Sequence, residues 1–314
     1  MTDLISQGIE IEIAGQSIST IKLALENAGI KGCTVVHDGT PSVDAEIVLP
    51  PLCYFNLDGS TCQVSIEYLN SVLRVLKRLD CRINSHCGLH VHVGIYPLDE
   101  RQTASNWSTS SIQHKENTGR YYTDGLLSEA IDAVVWFDVL YRYSRQQTAI
   151  NRLLPSSRTD NRYCYATNIN AFEGLDANNA TIQSVKALTR GKFSTINFET
   201  WRNGTVEFRQ HSGTIEMEKI VYWLRFIRTL VNWSRNSRVE TGSGSTTETT
   251  PENPFRNGSR VGVQYSLMRR LAGATTREIM DATGCSEQRV RAAVTEIRNR
   301  IGHTIGTVSG FFPE

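Results

Sequence analysis

The spacing of apolar and polar positions changes period along the chain, and each change marks an element. Gly8–Ile13 (GIEIEI) alternates strictly, with Ile9, Ile11 and Ile13 on one face and Glu10 and Glu12 on the other, which predicts a strand. Ser17–Ala28 moves to helical spacing, with Ile18, Ile21 and Leu25 aligned and Ser17 or Ser19 placed to cap. Cys33–His37 (CTVVH) and Ala45–Leu49 (AEIVL) read as short strands around a turn at Asp38-Gly39. Asp38 is there either as a turn-former or as a catalytic contact. Ile66–Leu79 is helical through Leu69, Val72, Leu73 and Leu76, and Leu89–Ile95 alternates again. Long helices are expected at 125–146 and at 217–233, the second with Ile220, Leu224, Ile227 and Val231 inward. Ser194–Trp201 and Thr205–His211 flank Asn203-Gly204, a hairpin signal that makes them antiparallel neighbours. The stretch 100–120 is polar without periodicity and is expected to be a long loop over the sheet. Together these elements predict an α+β domain with a largely antiparallel sheet and helices packed on one side.

That pattern stops at residues 235–254, RNSRVETGSGSTTETTPENP, which hold almost nothing apolar. Such a segment cannot bury enough surface to offset its ordering entropy, so a flexible linker is expected over 235–257, between a domain at 1–234 and a small one at 258–314. Charge follows the same division. Residues 1–234 carry 22 Lys/Arg against 24 Asp/Glu, whereas 255–314 carry 9 Arg against 5 acids and no Lys, so the tail is mildly basic on a neutral body. Overall net charge is +1, which excludes a global field drawing the chain to nucleic acid or an acidic membrane. Seven cysteines, with no C-x-x-C pair, predict free thiols in a reducing cytosol. The opening residues MTDLISQGIE lack a basic n-region and a long apolar stretch, so no signal peptide is expected, and no apolar run is long enough for a membrane helix.

Three of the alternating strands repeat one chemistry on their polar faces. GIEIEI presents Glu10 and Glu12, GLHVHV presents His90 and His92, and TVEFRQH presents Glu207, Arg209 and His211, while Glu46 in AEIVLPP adds a fourth carboxylate. One reading is that each polar face simply meets water, as antiparallel sheets often do. Yet a solvated face is normally filled with Lys, Thr, Ser and Gln, and no lysine stands on these three strands. Clustered carboxylates repel unless a cation lies among them. Glu10, Glu12, Glu46 and Glu207 with a histidine suit a hard cation such as Mg²⁺ or Mn²⁺, and Arg209 has the fork for bidentate phosphate contact. A zinc site at Cys87 is the weaker reading: Cys87 lies three residues from His90, on the opposite face of a strand, and no second Cys/His cluster completes a tetrahedral set.

The order G-x-E-x-E, E-I-V-x-P-P, G-x-H-x-H-V, R-x-x-x-R-Y-C and T-V-E-F-R-x-H-S-G-T over residues 7–233 resembles the amidoligases of the glutamine synthetase and glutamate–cysteine ligase superfamily. That resemblance implies a funnel lined by an antiparallel sheet, ATP as co-substrate, Mg²⁺ (or Mn²⁺), and amide-bond formation between a carboxylate and an amine through an acyl phosphate. It implies metal ligation by Glu10, Glu12, Glu46, His90 and Glu207, and places His92 near the ATP phosphates. Arg209 matches the phosphate-contacting arginine, while Arg158 and Arg162 resemble arginines that neutralise phosphate and substrate carboxylate. Asn197 would position substrate or backbone, and His211 would either position substrate or be a capped strand-end histidine without a role. The chain lacks the long insertions that build specific pockets in the larger ligases, so the resemblance does not name its acid or its amine.

The tail carries a separate signal. Val263–Leu271 and a segment opened by a Thr275/Glu278 capping box read as helices, Gly284-Cys285-Ser286 as a tight turn, and Ser286–Ile301 as a third helix, with His303–Val308 as a short wing. This resembles a winged-helix module whose Arg289, Arg291, Arg298 and Arg300 would meet DNA phosphates, or else a module for protein contact. A ligase whose tail delivers it to a nucleic acid or protein target is the leading expectation, and coupling of an amino acid to that macromolecule is one possible extension of it. The rival is a DNA-binding regulator whose ligase-like domain senses a ligand without turnover.

Overall fold

The structure is a computed structural model that describes residues 4–98, 102–120, 131–159 and 161–242, together with 280, 283–290 and 292. The chain divides into two units, Met1–Val239 and Glu240–Glu314. In chain order the described elements run β1 (Gln7–Ile13), α1 (Ile18–Asn27), β2 (Thr34–Val36), β3 (Ala45–Val48), α2 (Gln63–Arg78), β4 (Gly88–Gly94), α3 (Ala104–Thr118), α4 (Ala133–Arg145), α5 (Gln147–Leu153), α6 (Ile182–Ala187), β5 (Ile196–Asn197), β6 (Thr205–Ser212) and α7 (Met217–Gly242). The six strands form one antiparallel sheet in the order β2-β3-β1-β4-β6-β5.

Alternation divides the sheet cleanly. Ile9, Ile11 and Ile13 of β1, Leu89, Val91 and Val93 of β4, and Val206 and Phe208 of β6 are all fully buried on one side. They pack with Leu69, Val72 and Leu76 of α2, Trp136 and Leu140 of α4, and Ile220, Leu224 and Ile227 of α7 in a single core. Helical spacing in those segments supplies the matching apolar stripes. Local chemistry fixes the ends: Ser17 caps α1 by accepting from Thr20 N at 3.1 Å, and Asp38 accepts from Thr40 N at 2.5 Å, acting as a turn-former.

Four details differ from the sequence reading. Residues 104–118, expected within a loop, form α3, capped by Thr103 and ended by Gly119 in the left-handed region (φ 70°). Its buried face is Ala104, Trp107, Ser108 and Ser111, a helical spacing written in small polar residues that hydropathy does not register. Ser108 Oγ lies 2.5 Å from Ser65 Oγ of α2, so a close approach of the two helices takes the place of an apolar stripe. The helix expected at 125–146 is seen from Ala133, and its start at 125–130 lies outside the described residues. The Asn203-Gly204 connection is wider than a two-residue turn. Strand β5 ends at Asn197, a 3-10 turn spans Glu199–Asn203, and Gly204 closes it at φ 77°. Last, α7 continues through Gly242, eight residues into the stretch expected to be linker.

In the tail only the surroundings of the expected turn are described. Gly284 is left-handed (φ 63°) and its N–H donates to Met280 O at 2.8 Å, while Val290 N donates to Ser286 O at 3.0 Å. Cys285 and Val290 are buried and Arg289 is exposed. Arg291, Arg298, Arg300 and the expected wing lie outside the described residues.

Candidate functional site

Register brings the polar residues of five strands together. Across the antiparallel ladder Glu12 stands opposite Glu46, Glu10 opposite His90, and His92 opposite Glu207, which in turn faces Asn197. Residues paired in this way share a face. The side chains converge around His90: its Nδ1 is 3.3 Å from Glu10 Oε2 and 3.4 Å from Glu207 Oε1, and its Nε2 is 3.5 Å from Glu12 Oε1. His92 Nε2 lies 2.9 Å from Glu10 Oε1, and its Nδ1 is 3.3 Å from Thr205 Oγ1. Two overlapping sets of donor atoms, Glu10–Glu46–His90 and Glu10–His92–Glu207, each fall within 4.8 Å.

Supporting hydrogen bonds orient this cluster. Glu12 Oε2 accepts from Gly88 N at 2.6 Å, and Asn197 Nδ2 donates to Glu207 Oε2 at 2.6 Å. Arg209 Nη1 pairs with Glu207 Oε1. A Cβ on Gly88 would lie 2.8 Å from His90 Nε2, 3.0 Å from Arg158 Nη2 and 3.3 Å from Glu12 Oε2, so only glycine lets the three groups close over the strand.

A β-bulge shapes the β6 side. Leu89 pairs with His211 while Val91 pairs with Phe208, so Arg209 and Gln210 both stand opposite His90. A bulge removes ladder partners from the extra residue. Here the buried Arg158 supplies them: Nη2 donates to Arg209 O at 2.5 Å and Nε to Gln210 O at 3.4 Å. From the helix side Tyr143 Oη and Gln147 Nε2 donate to Gln210 Oε1, each at 2.8 Å, and Gln210 Nε2 donates to Asn151 Oδ1 at 2.7 Å.

The bulge also corrects one expectation. Strict alternation puts His211 beside Glu207 and Arg209, but the extra residue inverts the phase. His211 therefore pairs with Leu89 of the core, lies with its ring tilted 5.1 Å from the Trp223 ring of α7, and donates from Nδ1 to Ser212 O at 2.7 Å. Arg162 is likewise not gathered into the cluster; it is exposed and donates to Tyr163 Oη at 2.8 Å. Arg158 is in the site, but with its guanidinium committed to backbone carbonyls. Cys87 is a buried free thiol, as are Cys53, Cys62, Cys81, Cys164 and Cys285. Sequence reasoning passed over Gly88, Thr205, Gln210 and Tyr143. Gly88 could have been suspected from its place before the H-x-H pair; the bulge that recruits Gln210 leaves no sequence signal.

Electrostatics fit a cation. Burial pushes the Glu46 carboxyl up to about 9, reinforced by the charges of Glu10, Glu12 and Asp38. Burial likewise raises Glu10, but hydrogen bonds from His90 and His92 outweigh it and hold Glu10 well below the carboxylate range. For His92, burial opposes the charged form, and the hydrogen bond to Glu10 raises its pKa overall. The donor set is oxygen-rich with two imidazoles, carries excess negative charge and contains no thiolate.

From Glu10 and His92 a cleft of about 840 Å³ extends past Gly8, Gly94 and Gly204. Its lining also includes Tyr96, Trp107 and Trp201, with Lys115, Arg120 and Arg202. Among the described residues no helix is long and apolar enough to cross a membrane. A comparison with protein-family models finds no match for this chain, and a search among curated proteins finds none.

Proposed function

We propose that the chain is an ATP-dependent carboxylate–amine ligase, and the observation that carries this reading is the convergence of Glu10, Glu46, Glu207, His90 and His92 on one sheet face. Glu10 with Glu46 and His90, and Glu10 with His92 and Glu207, would hold Mg²⁺. Bound there, Mg²⁺ would neutralise the charge on phosphate oxygens. In the reaction the substrate carboxylate takes the γ-phosphoryl group of ATP and ADP leaves. The amine then attacks the acyl carbon, loses its proton and displaces phosphate.

The chain's own residues supply position and charge. Arg209, anchored by Glu207 and the bulge, directs its remaining N–H groups toward transferring phosphate. Asn197 and Gly88 fix the rotamers of Glu207 and Glu12. Arg158 is a positioning residue that holds the bulge rather than a group that touches substrate. The cleft has the size typical of small-molecule sites and leads directly into the cluster.

Incubation of the protein with Mg-ATP and pools of carboxylic acids and amines, followed by ADP and phosphate assay, tests this reading. Turnover that needs both an acid and an amine supports it. Release of neither ADP nor phosphate with any pair, together with tight binding to one DNA duplex, would instead favour a regulator.

A further inference from the structure

A second surface lies outside the cleft, on the segment that flanks β6 beyond Arg209. Residues 163–165 and 193–195 run side by side: Tyr165 bridges to Ser194, Tyr165 N donates to Phe193 O at 2.7 Å, and Thr195 N donates to Tyr165 O at 2.9 Å. The same backbone reaches the site, because Arg209 N donates to Thr195 O at 2.9 Å and Cys164 Sγ to Arg209 O at 3.3 Å. Three cations sit over three rings on this segment. Arg162 lies 4.9 Å from the Tyr163 ring, Arg190 4.7 Å from Tyr165, and Lys192 5.1 Å from Phe193. The Tyr163 and Phe193 rings are 5.9 Å apart, which joins the pairs into one patch.

The composition is unusual for a plain solvated face. Tyr165 and Phe193 are each 38% exposed, although large aromatic side chains normally bury their faces. Each ring has a cation on one side. An acidic peptide would use the three charges but would have no use for the flat apolar faces. A flexible polyanion that carries its own aromatic rings uses both, since bases stack on aromatic side chains while Arg and Lys track the phosphates.

We propose that this patch is a docking surface for single-stranded nucleic acid beside the mouth of the sheet face. It goes beyond the ligase reading and does not depend on turnover. It also accounts for Arg162, which the cluster leaves outside. Unpaired bases would stack on Tyr165 and Phe193, with backbone phosphates on Arg162, Arg190 and Lys192.

The test uses the full chain and a fluorescein-labelled eight-nucleotide oligo(dT), with binding read by anisotropy over a range of salt. The Tyr165→Ala/Phe193→Ala double variant should weaken binding at least tenfold, as loss of base stacking does. The Arg190→Gln/Lys192→Gln double variant should flatten the plot of log affinity against log salt by about 1.4, roughly 0.7 for each lost phosphate contact. That pair changes only side chains at the surface of the patch, so it keeps the test valid if the aromatic variant folds poorly. Unchanged oligonucleotide affinity in both variants would overturn the proposal. So would equally tight binding of an acidic peptide of the same length, or complete displacement of the oligonucleotide by ATP.

Discussion

The two faces of the central sheet are built by the same strands and do opposite work. On the covered face Ile11, Leu89, Val91 and Phe208 are fully buried against helices, and none of them is charged. On the other face Glu12, His90 and Glu207 are almost as deeply buried, yet they meet one another instead of a hydrophobic layer. Burial of carboxylates without pairing costs stability, whereas burial of aliphatic side chains provides it. The covered face thus stabilises the fold, and the open face gives up part of that stability to hold a preorganised charge cluster.

Adjacent residues on β6 offer the sharpest way to break the comparison. Glu207→Gln should lower the proposed ligase turnover on the order of a thousandfold, because it removes a charge aimed at the cluster, and should leave the protein folded, since the Gln oxygen can still accept from Arg209 Nη1. Phe208→Ala should do the reverse, costing about 4 kcal/mol of stability in chemical denaturation while the folded fraction keeps its activity. If Glu207→Gln unfolds the protein, or Phe208→Ala abolishes turnover without destabilising it, the division of labour between faces is wrong.

The period of two was legible, and so was most of the site. Glu10, Glu12, His90, His92 and Glu207 are where alternation puts them, because β1 pairs regularly with β3 and β4, and His92 pairs with Glu207 on the regular side of the bulge. Glu46 joins them through its register with Glu12. What alternation could not carry was the bulge. One extra residue at Arg209/Gln210 rotated His211 into the core, since phase is a property of the ladder and not of the strand alone. Helix α3 was hidden for a different reason: its inner face uses Ser108 and Ser111, whose buried hydroxyls suit close helix packing but read as polar.

The bulge itself gives the next prediction. Replacing Arg158 with Met keeps much of its volume but leaves the Gln210 carbonyl without its Arg158 donor and the Arg209 carbonyl with only the weak Cys164 thiol. Each unpaired buried carbonyl costs about 1–3 kcal/mol, so a loss of about 3 kcal/mol is expected in denaturant titration. Turnover should fall together with it, and Arg158→Lys should restore part of both. An Arg158→Met protein of wild-type stability would show that the bulge does not depend on this guanidinium.

A smaller effect should appear in acid. Burial pushes His211 down to about 4, below its ordinary 6.5, so the folded protein prefers the neutral ring. The unfolded chain then binds more protons between these values, and stability is complete above pH 6.5 and lost as pH falls toward 4. At pH 5 the loss is about 2 kcal/mol relative to pH 8. His211→Leu should flatten that part of the stability profile; an unchanged profile would show that His211 is not buried neutral against Trp223.

Whether the open face is a site for a hard divalent cation is decided by titrating Mn²⁺ into the full chain and following its electron paramagnetic resonance signal. The free-ion signal should be quenched, Mg²⁺ should compete, and Glu10→Gln, which removes the carboxylate shared by both donor sets, should restore the free signal. A Mn²⁺ signal that stays fully free in the wild-type protein at millimolar metal would contradict a cation site on this face, and with it the ligase reading.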